Sequence, residues 1–265
     1  MQPGLQQPAG AGSGDSRLPA FTPGWAIFLD LDGTLLEHAE RPDAVRTDAA
    51  LGKLLTALKD LSGGALALIS GRPVAELDVL FAPLRFAVAG QHGVERRDAD
   101  GKLHRHAFAL EPLRRAARQL GEFSARHAGL LLEDKGCSLA LHFRLAPQLA
   151  GAARAAVAEA LATLGPGFEM QGGKMVFEVK PGGRDKGTAI EEFMAEAPFA
   201  GRLPVFVGDD ATDEYGFAIV NRLGGHSIKV GPGPSSAAWR LGDAAAVREW
   251  LSAYVAYVAA RTDSK

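Results

Sequence analysis

Asp30-Leu31-Asp32-Gly33-Thr34 sets two carboxylates one residue apart, directly after the apolar run Trp25-Ala26-Ile27-Phe28-Leu29. The run reads as a buried strand and Gly33 as its break. Open α/β sheets place their ligands at the carboxyl ends of strands, which is where this acid pair falls. One carboxylate can attack or ligate while the other handles a proton, and a hard cation can tie the two together. Taken alone, such a string is more often an Asp-rich turn, so its neighbours must decide. An EF-hand loop is excluded, because, counting Asp30 as the first, the sixth residue is Leu35 and the twelfth is Arg41, where that loop needs Gly and Glu.

Three further groups share this character. Ser70-Gly71-Arg72-Pro73 closes a second apolar run and opens a helix, offering a hydroxyl and free backbone N–H groups at a positive helix end. Asp185-Lys186-Gly187 starts a later helix. Asp185 suits the N-cap, but Lys186 opposes the helix dipole, which makes sense if it faces an anion. Gly208-Asp209-Asp210-Ala211-Thr212-Asp213-Glu214 follows the strand-like Val205-Phe206-Val207. Clustered carboxylates raise one another's pKa unless a cation offsets them, so a divalent metal shared with Asp30 and Asp32 is the economical explanation. An acidic first turn capping the next helix accounts for one or two of these residues, less easily for all. Lys186-Gly187-Thr188 has the wrong order for a Walker A loop, and the prolines around Gly231-Pro232-Gly233 spoil a dinucleotide fingerprint.

The elements that must hold these groups alternate. Trp25–Asp30, Leu66–Ser70 and Phe86–Ala89 read as strands, with helices over Asp48–Leu61 and Pro73–Leu80 between them. The grammar returns with a helix at Asp185–Glu196, a strand at Val205–Gly208, a helix at Thr212–Val220, a strand at Ser227–Val230 and a final helix near Ala244–Ala259. Such alternation predicts a parallel sheet with helices on both faces. The middle differs. A polar hairpin-like segment (Val94–Ala107) precedes helices at Pro112–His127 and Pro147–Leu164 and short strands at Leu130–Asp134, Ser138–Phe143, Phe168–Gln171 and Met175–Val179. Pro181-Gly182-Gly183 then marks a hinge. The expected organisation is a flexible tail over 1–20, a core built from 21–108 and 182–265, and an inserted α+β domain at 109–181.

Composition narrows the classes. The 265 residues suffice for one large domain or two modest ones, and a net charge of −2 gives no argument for nucleic-acid or membrane partners. No stretch approaches a membrane span, and the Gly-, Gln- and Pro-rich start lacks the apolar core of a signal peptide. The one cysteine, Cys137, sits in an apolar run and reads as a buried small hydrophobe in a reducing compartment. A cytoplasmic monomer is expected.

In this order the four motifs resemble those of the haloacid-dehalogenase superfamily. The resemblance implies a Rossmann-like α/β core with a cap. It implies Asp30 as nucleophile forming an aspartyl-phosphate, Asp32 as acid and then base, and Ser70 and Lys186 as the phosphate-orienting pair. Mg²⁺ would be held by Asp30, Asp209 and the backbone carbonyl of Asp32, with Asp210 or Asp213 completing the shell.

Within that superfamily, Gln91-His92-Gly93, Glu133-Asp134-Lys135, His142-Phe143-Arg144 and Gly173-Lys174-Met175 to Glu178-Val179-Lys180-Pro181 resemble the trehalose-6-phosphate phosphatases. Arg184 is a small departure, since that position is often aromatic or apolar in the group. The substrate implied is trehalose 6-phosphate. Arg72, Gln91, His92, Gly93, Glu133, Lys135, His142, Arg144, Lys174 and Glu178 are the candidate substrate contacts. Donors and acceptors of this kind suit a polyol, although exposed charges on a strand explain each cap residue equally well. A phosphatase for another sugar phosphate (sucrose-phosphate or mannosyl-glycerate type) and a non-catalytic sugar-phosphate sensor stand as alternatives. The complete set of Asp30, Asp32, Lys186 and Asp209 counts against the sensor.

Overall fold

The computed structural model describes residues 18–37, 46–173 and 175–262. The tail expected over 1–20 therefore falls almost wholly outside the described residues, as does Lys174.

Among the described residues, twelve strands form two sheets. β1 (Trp25–Leu29), β2 (Leu66–Ile69) and β3 (Ala87–Gly90) run parallel in that order, and β10 (Leu203–Gly208), β11 (His226–Val230) and β12 (Trp239–Leu241) extend the sheet on the other side of β1. The order therefore reverses between β1 and β10, the switch point at which open α/β sheets bind ligands. β4 (Glu95–Arg97) and β5 (Leu103–Arg105), the expected hairpin, add to the β3 edge antiparallel, so the sheet is mixed rather than purely parallel. β12 was not expected. Three residues after a Gly-, Pro- and Ser-rich stretch give too short an apolar signal.

Strand residues sort by period two. Trp25, Ile27 and Leu29 face one layer with Leu66, Leu68, Val205 and Val207, whereas Ala26, Phe28, Ala67 and Phe206 face the other. The first layer is covered by α1 (Ala49–Leu61), α2 (Val74–Phe81) and α7 (Ala244–Thr262). Leucines 51, 55 and 58 supply the buried stripe of α1, and Asp48 caps it by accepting from Leu51 N at 2.7 Å. The second layer is covered by α5 (Lys186–Met194) and α6 (Asp213–Arg222).

The second sheet, β6-β7-β9-β8, is antiparallel and comprises β6 (Leu131–Asp134), β7 (Leu139–His142), β8 (Phe168–Gly173) and β9 (Val176–Pro181). Its helices, α3 (Leu110–Ala125) and α4 (Ala150–Leu164), cover only one face, where Leu120, Val157 and Leu164 pack on Leu139, Leu141 and Val179. The other face carries polar side chains. Cys137 is buried, and burial pushes its thiol up to about 12, as befits an inert side chain.

Gly216 fixes how closely α6 lies on the sheet, because a Cβ there would sit 2.4 Å from the Phe206 ring. Gly216→Ala is expected to lower unfolding free energy by about 1–3 kcal/mol despite its better helix propensity. Urea denaturation at neutral pH measures this.

Candidate active site

Asp30 follows β1 and Asp209 follows β10, so the switch point itself brings these carboxylates side by side. Gly33 makes room: its φ is +93°, and a Cβ there would lie 2.3 Å from Asp209 Oδ2. Thr34, fully buried, donates from Oγ1 to Asp209 Oδ1 at 3.4 Å. At the start of α6, Asp213 Oδ2 accepts from the backbone N–H groups of Asp209 and Asp210, both at 2.9 Å. Asp30, Asp209 and Asp213 each present an oxygen within 4.8 Å of the others.

Lys186 enters this cluster from the first turn of α5. A capping box between Asp185 and Thr188 orients the helix start. Its Nζ donates to Asp30 Oδ1 at 2.8 Å and to Asp213 Oδ1 at 2.7 Å, and all three side chains are buried. One ammonium among three carboxylates leaves the site short of positive charge. Burial, and then the neighbouring Asp213 and Asp209, push Asp30 up against the pull of Lys186. Burial likewise takes Asp213 up to about 7. Burial alone would lower Lys186, but Asp213 and Asp30 hold it well above its ordinary value, so the ammonium stays charged. An all-oxygen cluster with excess negative charge fits a hard divalent cation. Asp30 and Asp209 could hold one together. Asp213 is already engaged at both oxygens, and Asp210 Oδ1 accepts from Thr212 N and Oγ1 at 2.8 and 2.6 Å.

The carboxylate of Asp32 points elsewhere. Arg72 grips it in a two-pronged pair, Nε to Oδ2 at 2.6 Å and one terminal nitrogen to Oδ1 at 2.8 Å. Ser70 is buried and its Oγ accepts from Arg72 N at 3.1 Å, closing the turn after β2.

The polar face of the second sheet meets the core here. Glu178 Oε1 accepts from Ser138 Oγ at 2.6 Å and from Lys135 Nζ at 3.3 Å, and its Oε2 lies 3.3 Å from His92 Nε2. Lys135 also donates to Gly71 O at 3.3 Å, and Ser138 to Gln91 Oε1 at 3.3 Å. Burial would raise Glu178, but Lys135, then His92 and Ser138, hold it far below the usual carboxylate range. Burial lowers His92 below its ordinary value against the pull of Glu178. Gln91, His92 and Gly93 all have positive φ (49°, 55° and 94°), a strained run tied down by His92 N to Ser70 O at 3.0 Å and Gln91 N to Arg72 O at 3.0 Å. Glu133 pairs with His142 Nε2 at 2.8 Å. Arg144 lies past the end of β7 and is exposed.

Sequence reasoning missed Thr34, Ser138 and Lys229. Lys229, buried in β11, donates to the carbonyls of Asp209 and Val230 and so holds the acidic loop from behind. A lysine inside the apolar run Ser227–Val230 was the available signal.

The reversal point, the Lys186-bridged acids and the polar second layer define a capped phosphohydrolase of the haloacid-dehalogenase type. The family profile described as trehalose-phosphatase matches residues 28–244. The chain belongs to the trehalose-phosphatase family. It is 48% identical to the trehalose-6-phosphate phosphatase of Escherichia coli K12 over 233 residues, covering 88% of this chain and 87% of that protein. A probable trehalose-phosphate phosphatase of Sinorhizobium fredii is 47% identical over 78% of each chain. Among solved structures, a trehalose-6-phosphate phosphatase related protein superposes with a TM-score of 0.78 at 27% identity, covering 89% of this chain and 99% of that one.

Lys186→Met strands two buried carboxylates, and is expected to cost about 3–5 kcal/mol without added metal. Adding Asp213→Asn removes one stranded charge, so the double variant should be more stable than the single one. Denaturation of both proteins in chelator reads this out.

Proposed function

We propose that the chain hydrolyses trehalose 6-phosphate to trehalose and inorganic phosphate. In this reading Asp30 is the nucleophile, Asp32 the acid and then the base, and Asp30 and Asp209 hold Mg²⁺, with residues 109–181 as the cap over a core of 21–108 and 182–265. The observation that carries it is the Lys186 ammonium bonded at once to Asp30 and Asp213 at the switch point. That contact occupies Asp30 Oδ1 and leaves Oδ2 to attack.

The Oδ2–phosphorus bond forms as the bond to the ester oxygen breaks, and the Asp32 carboxyl protonates the departing sugar hydroxyl. Water then attacks the phosphorus of the acyl phosphate, its proton passes to Asp32, and phosphate leaves with the Asp30 carboxylate restored. Lys186 and the Ser70 turn orient the phosphoryl oxygens. When bound, Mg²⁺ supplies the positive charge that lets a phosphate dianion approach these acids. Arg72, clamped on Asp32, also offers a two-pronged donor to a phosphate. A dianion that draws the guanidinium away frees Asp32 to take up its proton.

The disaccharide assignment is supported by the activity of the Escherichia coli relative and by a cap face of polar side chains that meets the core at Gly71 and His92. In solution the reading is a cytoplasmic monomer acting on a small molecule, without nucleic-acid or membrane partners. Among the described residues no helix is long and apolar enough to cross a membrane.

Across a panel of sugar phosphates, kcat/KM for trehalose 6-phosphate should exceed that for sucrose 6-phosphate and glucose 6-phosphate by about a hundredfold or more. Chelation should remove the activity and Mg²⁺ restore it. An equally fast sucrose ester would overturn the substrate, and full activity after exhaustive chelation would overturn the metal. Asp30→Asn keeps the shape but loses the nucleophile, so phosphate release should fall to background while the circular dichroism spectrum is retained. Retained turnover by that variant would move the covalent step to another residue.

A further inference from the structure

Directly paired residues of neighbouring strands share one face of a sheet. Across the cap sheet Glu133 pairs with Ala140, Ala140 with Glu178, and Glu178 with Gln171. These four therefore form a single row on the face opposite α3 and α4. At one end Glu133 is held by His142, and in the third place Glu178 touches His92 of the core. At the other end Gln171 lines a cleft of about 260 Å³ between β8 and the loop into α6, facing Ala211, Thr212 and Tyr215. With strands ~4.8 Å apart, three steps from Glu133 to Gln171 cover about 14 Å, the reach of two linked sugar rings.

The cleft has the makings of a sugar site. Tyr215 lies in the first turn of α6, two places after Asp213, yet the residue is 52% exposed. α6 is packed along α5, so this ring is carried on a fixed element rather than a loose loop. An open aromatic face beside polar groups suits the C–H face of a pyranose, while the Gln171 amide offers both a donor and an acceptor to adjacent hydroxyls. Glu169, held by Lys180 at 2.9 Å, adds acceptor oxygens to the same wall. The volume takes one hexose ring, not two.

We propose that this cleft is a pyranose subsite, with Tyr215 as the stacking face and Gln171 as the hydroxyl partner. It takes one ring of the substrate while the Glu133 and Lys135 end takes the other. This rests on the sugar-phosphate reading given above.

The test compares trehalose 6-phosphate, glucose 6-phosphate and p-nitrophenyl phosphate on the same preparations of wild type, Tyr215→Ala, Gln171→Ala and Tyr215→Phe. Each alanine variant should raise KM for trehalose 6-phosphate about tenfold with kcat within about twofold, so that the sugar-to-aryl ratio of kcat/KM falls about tenfold. Tyr215→Phe keeps the ring and should keep the ratio. A fall for both sugar esters puts the phosphorylated ring in the cleft, a fall for the disaccharide alone puts the other ring there, and either supports the subsite. An unchanged ratio in both alanine variants overturns it. So does a parallel loss on all three substrates, which marks a structural role, and a Tyr215→Phe loss as deep as that of alanine removes the stacking. If the wild type prefers a different sugar ester, the substrate reading fails by itself. The same variants scored on that ester still decide the cleft.

Discussion

The ammonium of Lys186 joins Asp30, 156 positions away along the chain, to Asp213 at the head of the next helix. Everything around it follows from having to bury this charge group. Removing an ammonium and two carboxylates from water costs several kcal/mol per ion, which is recovered only if each is bonded with good geometry. The helix dipole adds a further penalty, because the lysine sits at the wrong end of α5. The geometry is supplied by strongly apolar neighbours. Phe193, Phe206 and Phe217 lock α5 and α6 onto one face of the sheet, and the Asp185 box sets the angle at which the lysine leaves the helix. The hydrophobic layers thus support a local arrangement that charge alone would disperse.

A second polar group joins the two sheets. Glu178 binds Ser138 and Lys135 from the turn between β6 and β7 and His92 from the core, and Lys135 and Ser138 reach the core as well. Buried polar groups are costly when half satisfied, so a ligand entering between the layers has to replace these hydrogen bonds with its own. Sugar hydroxyls can do so; a small apolar ester cannot. The left-handed backbone at Gln91 and His92 belongs to the same economy. It holds the His92 ring over the Ser70 turn, where Glu178 can meet it.

Much of this was legible in the sequence, for reasons that differ by element. Strands β1, β2 and β10 were readable because they are buried on both faces and so are continuously apolar. Their carboxyl ends therefore marked Asp30, Ser70 and Asp209 as neighbours in space. The length and leucine spacing of α1 gave its span to within a residue. What could not be read was pairing. Nothing in a linear string says that Arg72 grips Asp32, or that Asp213 serves Lys186 rather than standing free, because each depends on rotamers set by the packed neighbours. The buried Ser138 was hidden for a related cause: its role comes from partners far along the chain. Lys135 and Glu178 were singled out as sugar contacts, and the structure finds them bonded to one another and to the core.

The cap sheet divides its labour by parity. Odd and even positions along β9 belong to different tasks: Glu178 and Lys180 to the polar side, Phe177 and Val179 to the packed side. Selection can therefore rewrite one set while the other stays silent. Exchanging Gln171 or Glu133 leaves the helices beneath undisturbed, so an ancestral scaffold could acquire a new sugar preference by point changes alone. Insertions are another matter. A single added residue in β8 or β9 would invert the parity of everything beyond it and drive carboxylates into the apolar layer. Descendants of such a fold should consequently diverge by substitution within these strands and confine changes of length to the turns that join them.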